Sequence, residues 1–256
     1  MGLPVCQHVA MQALMSIYAW LLLGVTVVLC FIAVTLALAV TWPFDRGRYW
    51  AGRAARITGT LAARANPMLR FGWAGPAPTD PRKPYIVVSN HESNFDPFLL
   101  AFLPWEMKYL SKASLFRVPF FGWAMWLAGD IAVNRGDKAN RERALDGVAA
   151  VLARRISVLI FPEGTRSRTP ELLPFRHGAF KLAIERGVDI LPLGLAGTRD
   201  AMPKGTWRFS PARARVLIGE PIPTAGMSPD DAPALAARAQ AAVEALRAEA
   251  RAQITG

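Results

Sequence analysis

The chain has 256 residues, enough for one substantial domain with a buried core plus an appendage. Hydrophobic residues make up 52%, more than an ordinary soluble domain carries, and 30 Lys and Arg against 19 Asp and Glu leave a net charge of +11. Two cysteines, both in one apolar stretch, exclude a disulfide framework, and three histidines without a His-Glu-x-x-His motif supply no metal-ligand cluster.

The apolar excess sits at the N-terminus. No Asp, Glu, Lys or Arg occurs from Met1 to Phe44. Leu14 to Val40 is long enough to cross a bilayer as a helix, which needs about 20 apolar residues. Gly24 near its middle is tolerated in a membrane helix or marks a bend. Ala37-Leu38-Ala39 resembles a signal-peptide cleavage site, but no basic residue precedes the run and the run is too long for an h-region. The expectation is a retained membrane helix or a helical hairpin dipping into one leaflet.

Arg46, Arg48, Arg53, Arg56, Arg64 and Arg70 follow, with Asp45 alone against them, which puts this flank on the cytoplasmic side of an inner membrane. Arg53, Arg56 and Arg64 interleave with Ala54, Ile57 and Leu61 and predict a basic amphipathic helix on an anionic membrane; a solvated helix face is the alternative. Residues 1–72 therefore form a membrane-associated segment and residues 73–256 a second domain. The proline-bearing stretch Gly72 to Pro84 reads as the linker.

Beyond it, strands and helices alternate. Strands are predicted at Tyr85–Ser89, Met107–Ser111, Asp130–Val133, Ser157–Phe161, Ile190–Leu195 and Arg213–Ile218, and helices at Pro97–Leu103, Lys138–Arg154, Gly178–Arg186 and about Pro229–Ala252. Ser228 reads as the N-cap of the last helix, a covering element. The pattern predicts an α/β fold, a mostly parallel central sheet flanked by helices.

Two strand ends carry chemistry. The first delivers His91 and, five positions on, Asp96. An imidazole held in one tautomer by a carboxylate is a general base near neutral pH. Asp96-Pro97 is also a good helix start, with Asp as N-cap, and the two roles are compatible. The second strand ends in Pro162-Glu163-Gly164-Thr165-Arg166-Ser167-Arg168, where arginine forks suited to phosphate follow a glycine turn; an ordinary surface turn is the alternative. Between them Phe116, Phe120, Phe121, Trp123 and Trp126 read as core, or else as an acyl channel or interfacial belt.

These segments resemble the glycerolipid acyltransferases, the family of bacterial 1-acylglycerol-3-phosphate acyltransferase. His91 and Asp96 match its first motif, Lys112, Leu115, Gly122 and Arg135 its second, Glu163 to Arg166 its third, and the proline in Ile190-Leu191-Pro192-Leu193-Gly194 its fourth. The matches run in order over about residues 84 to 200. The resemblance implies transfer of a fatty acyl group from acyl-CoA or acyl-ACP to the free hydroxyl of a lysolipid such as lysophosphatidic acid, making phosphatidic acid. The alternatives are another lysolipid acceptor, such as a lyso-ornithine lipid, or a membrane-bound binding protein that has lost catalysis.

On this reading His91 is the base and Asp96 its orienter. Arg135 and Arg166 bind the acceptor's phosphate with Lys112 as a third cation, and Glu163, Gly164 and Thr165 complete the substrate turn. Spacing alone does not bring these segments together. No cofactor is implied beyond the acyl thioester co-substrate. Implied partners are lysophospholipid, the acyl thioester, acyl carrier protein and an anionic membrane. So basic a chain also raises nucleic-acid binding, but no RNA signature or zinc-finger spacing occurs and nucleic acid is not expected.

Overall fold

The computed structural model describes residues 5–134, 136–166, 171–202 and 206–255. Two helices come first, α1 (Val5–Thr41) and α2 (Tyr49–Ala65), followed by strand β1 (Leu69–Ala74) and strand β2 (Ile86–Ser89). Next come α3 (Asp96–Leu100), β3 (Met107–Lys112), α4 (Phe121–Ala128), β4 (Ile131–Val133), α5 (Lys138–Leu152) and β5 (Ser157–Ile160). The chain continues through α6 (Gly178–Arg186), β6 (Ile190–Ala196), α7 (Thr198–Ala201), β7 (Ala212–Ile218) and α8 (Ala232–Thr255).

The strands form a 7-stranded sheet in the order β1-β7-β6-β2-β5-β3-β4. Its pairings are parallel except β6 with β7, so the mostly parallel sheet read from the sequence is present. Strand alternation sorts the core into two layers: Ile86 and Val88 face α5, α6 and α8, while Tyr85 and Val87 face Leu99, Leu100 and Trp105. Pro192 lies inside β6 where β7 has just left the sheet, between the pairings Leu193–Ile218 and Ile190–Ile222, so its missing N–H opens a gap at a ladder end.

The start of the proposed linker is not a linker. Gly72 belongs to β1, which pairs with β7 along its whole length, and the boundary drawn after residue 72 falls inside this strand. The strand's sequence, Leu-Arg-Phe-Gly-Trp-Ala, lacks the β-branched run that marks the central strands, because an edge strand is buried less.

Helix α1 is continuous through Gly24, and Ala10–Thr41 has a mean hydropathy of 2.8 over its most apolar window, long and apolar enough to cross a membrane. Its hydroxyls bond one turn back, Ser16 to the Gln12 carbonyl at 2.7 Å and Thr26 to Leu22 at 2.7 Å, which spares apolar surroundings any unpaired donor. The Tyr18 hydroxyl donates to the Ala65 carbonyl at 3.0 Å, so the start of α1 lies beside the end of α2 and the two helices form an antiparallel hairpin.

Arg53 and Arg56 of α2 point the other way from the expectation, while Arg64 stays exposed. Arg56 is buried; it donates to Asp130 Oδ1 at 2.6 Å and stacks 3.7 Å over the Tyr109 ring. Arg53 donates to the carbonyls of Leu103 and Trp105, and Arg64 lies over Phe102. A second buried pair, Lys108 with Glu106 at 3.0 Å, sits in the same cluster. Charges need partners to be buried, and the α/β domain supplies them. The outward face of α2 is instead apolar, with Trp50, Ile57 and Leu61 exposed.

The aromatic group differs in the same sense. Phe120, Trp123 and Trp126 are exposed rather than in the core, and Phe31 of α1 meets Phe120 and Trp123 edge-on at 5.7 and 5.9 Å. Together with α1 and α2 they form one contiguous apolar surface.

Candidate active site

Parallel strands deliver their following loops to one edge of a sheet, and in open α/β sheets ligands bind at that carboxyl edge. Here β6, β2 and β5 are neighbours, and the segments after them carry Thr198, His91 and Glu163 respectively. The three converge on one carboxylate and one imidazole.

Asp96 is fully buried. Its Oδ2 accepts from His91 Nδ1 at 2.6 Å and from the backbone N–H groups of Glu92 at 2.8 Å and Ser93 at 3.0 Å. Its Oδ1 accepts from the Thr198 hydroxyl at 2.5 Å. A carboxylate oxygen already receiving two N–H donors acts as an acceptor, so the imidazole proton belongs on Nδ1 and Nε2 keeps its lone pair. Asp96 is also the first residue of α3, and its side chain holds the preceding loop rather than capping the helix as expected.

Glu163 braces the same loop. Its Oε1 accepts from the His91 N–H at 2.9 Å and its Oε2 from the Leu173 N–H at 3.0 Å. Burial pushes its carboxyl above the ordinary 4.5, against the pull of those backbone donors. Each oxygen accepts from the chain's own backbone, so Glu163 orients the His91 loop and the turn after β5. The His91 ring stacks on Phe161 with centroids 4.1 Å apart, fixing the imidazole plane. Gly164 turns with φ 74, a left-handed conformation, and a Cβ there would press on the Arg176 guanidinium. Its N–H goes to the Phe161 carbonyl at 3.0 Å, so the glycine shapes the turn.

Lys112 closes β3 beside β5, and Thr165 and Arg166 follow β5; all three are exposed at the carboxyl edge. Arg135 lies outside the described residues, as do Ser167 and Arg168. Beside Phe161 and Gly164 opens a pocket of about 360 Å³, with Val133, Leu145 and Ile160 in its floor and Lys138, Arg141 and Arg176 at its mouth.

The sequence reading missed Thr198, which follows the left-handed Gly197, and Asn90, whose amide bonds both the carbonyl and N–H of Leu195 at 2.9 Å. A glycine-threonine step at the end of an apolar strand was the available signal for the first. Ser93, two positions past the histidine, is buried, and its Oγ accepts from the Phe95 N–H at 3.2 Å, a turn-forming role.

A family model described as Acyltransferase matches residues 73–196. The 1-acyl-sn-glycerol-3-phosphate acyltransferase of Salmonella typhimurium is 36% identical over 169 residues, covering 64% of this chain and 67% of that protein. The chain belongs to the acyltransferase family. The human 1-acyl-sn-glycerol-3-phosphate acyltransferase alpha is 38% identical over 160 residues, 62% of this chain, but the match spans only 56% of the human protein. The mammalian relatives are thus matched over little more than half their length. The fold of this acyltransferase is also that of the crystal structure of the 1-acyl-sn-glycerophosphate (LPA) acyltransferase PlsC from Thermotoga maritima, with a TM-score of 0.74 at 23% identity over 95% of this chain and 96% of that one.

Proposed function

We propose that this acyltransferase transfers a fatty acyl group from a thioester, acyl-CoA or acyl-ACP, to the free hydroxyl of lysophosphatidic acid, making phosphatidic acid. The observation that carries the proposal is the His91–Asp96 pair at 2.6 Å on the carboxyl edge of the sheet. A thioester is already activated, so only the alcohol requires a base. Nε2 of His91 takes the hydroxyl proton as the alkoxide oxygen attacks the thioester carbonyl. The tetrahedral intermediate then expels the thiolate, and the proton passes from the imidazolium to sulfur. One C–O bond forms and one C–S bond breaks. Asp96 stabilises the imidazolium in between, as the aspartate of a serine triad does, with substrate hydroxyl in place of serine.

The relatives named 1-acyl-sn-glycerol-3-phosphate acyltransferase support the phosphate-bearing acceptor, and so do the cations Lys112 and Arg166 on the same edge as His91. Arginine forks bind phosphate bidentately. The apolar surface of α1, α2 and α4 supports insertion of the hairpin into an inner membrane, and the arginines after residue 44 favour the cytoplasmic side for the catalytic domain.

The test is turnover by detergent-purified protein with acyl-CoA and with acyl-ACP, offering lysophosphatidic acid, a lyso-ornithine lipid and uncharged monoacylglycerol. Lysophosphatidic acid should be preferred. Arg166→Ala should remove that preference, with Arg166→Lys restoring part of it. Equal use of the uncharged acceptor by the unmodified protein would overturn the assignment.

A further inference from the structure

The C-terminal helix α8 lies against the sheet far along the chain from His91, yet it reaches the loop that holds the imidazole. Arg247 Nε donates to Glu92 Oε1 at 3.0 Å, and the Glu92 side chain is nearly buried. The backbone N–H of that same Glu92 donates to Asp96 Oδ2, the oxygen that holds His91. Helix α8 can come so close because Gly194 of β6 faces it: any Cβ there would run into the backbone at Leu246 and Arg247.

The helix also touches the other side of Asp96. Ile254 packs against Gly197, where a Cβ would collide with it, and Gly197 precedes the Thr198 that donates to Asp96 Oδ1. Arg251 lies 3.9 Å from Asp200 in the same turn. The last turns of α8 therefore contact both backbone segments that grip the catalytic carboxylate.

We propose that Arg247 is a positioning residue for acyl transfer: through Glu92 it holds the loop from Asn90 to Ser93 so that Asp96 and His91 keep their geometry. The proposal rests on the reading of His91 as the base. Burial pushes the Glu92 carboxyl up, and the hydrogen bond and charge of Arg247 oppose that rise, so the two side chains are coupled electrostatically as well as by geometry. Displacing a reacting group by about 1 Å through a remote change costs on the order of 100-fold in rate, which sets the upper limit of the effect.

Three variants of the full-length protein in detergent test this: Arg247→Met, Glu92→Gln, and the two together. Three measurements are made on each: acyl transfer with kcat and KM separated, the thermal midpoint, and hydrogen–deuterium exchange of the peptide spanning residues 86–100. Arg247→Met should lower kcat by roughly ten- to 100-fold with KM for both substrates unchanged, and should speed exchange at Glu92 and Ser93. The double variant leaves no unpaired buried charge, so its thermal midpoint should return close to that of the unmodified protein while kcat stays low and exchange stays fast. Recovery of kcat together with stability in the double variant would make the pair merely structural and overturn the proposal, as would unchanged exchange in Arg247→Met. If the unmodified protein fails to acylate any lysolipid, the functional reading falls, and the exchange measurement still decides the positioning role.

Discussion

The Thr198 hydroxyl donates to Asp96 Oδ1 at 2.5 Å, from a residue 102 positions further along the chain. Among the described hydrogen bonds it is the one that Oδ1 of this fully buried carboxylate accepts. Thr198→Val should therefore destabilise the fold by about 1–3 kcal/mol, the usual penalty for a buried polar atom left unpaired. Acyl transfer should fall about tenfold, since the general base loses part of its support. Thr198→Ser keeps the hydroxyl and should keep most of both. Thermal unfolding and turnover on the same preparations check the pair; unaltered turnover in Thr198→Val would detach Thr198 from the site.

His91→Ala and Asp96→Asn should separate catalysis from folding. His91→Ala removes the base and should lower turnover by about 10²–10⁴-fold with little change in thermal midpoint. Asp96→Asn must place an NH2 where the carboxylate accepts either from Thr198 or from His91, Glu92 and Ser93. It should lose rate and stability together. Stability equal to that of the unmodified protein in Asp96→Asn would show that the loop does not depend on those bonds.

Glu163 gives a pH dependence with a defined sign. Its carboxyl is raised above the ordinary 4.5 by burial. A raised acid favours the folded state in its protonated form, so that stabilisation is complete below 4.5 and is lost as pH climbs through the raised value. Glu163→Gln cannot ionise and lacks this loss. Thermal midpoints taken from pH 4 to 8 should thus converge or cross in favour of the variant as pH rises, whatever constant cost the amide adds by facing the Leu173 N–H. A gap that widens in favour of the unmodified protein with rising pH would contradict the shift.

Membrane binding should follow the apolar face of α2 rather than its arginines. Ile57 is 50% exposed and Leu61 59%, while Arg53 and Arg56 are turned into the protein. Ile57→Lys with Leu61→Lys should weaken flotation with anionic vesicles, and the loss should persist in high salt because it removes apolar burial. Arg53→Gln should leave flotation nearly unchanged. The reverse ranking would restore the headgroup-binding role of the arginines.

The central strands and the His91–Asp96 pair were legible because a fully buried strand and a five-residue spacing are local properties. The predicted helix Gly178–Arg186 coincides with α6, and the last helix begins after Ser228, whose N–H donates to Asp231 at 2.7 Å. The misreadings share a cause, which is that a side chain's direction depends on what its element packs against. Alternation of Arg53, Arg56 and Arg64 with apolar residues marks an amphipathic helix but not which face turns inward; buried Asp130 and Glu106, distant in sequence, decide that. The aromatics around Trp123 are surface residues for the same reason, since α1 gives them an apolar neighbour outside the core. Arg247 was invisible because nothing in its own neighbourhood points at Glu92, and the glycine-threonine step before Thr198 marks a strand end without naming Asp96 as its partner.

The buried pairing of Arg56 with Asp130 spans 74 residues of sequence, and β1 pairs with a strand that begins only at Ala212. On a ribosome adding about 5–20 residues per second, Arg56 emerges on the order of ten seconds before its counter-charge does. Through that interval the apolar hairpin is complete while the arginines that will face the protein have no protein to face. Anionic headgroups are the natural temporary partners for such cations. The apolar hairpin is thus synthesised in full before either the counter-charge of Arg56 or the sheet that carries His91 exists, so the two halves of the molecule meet only late in synthesis.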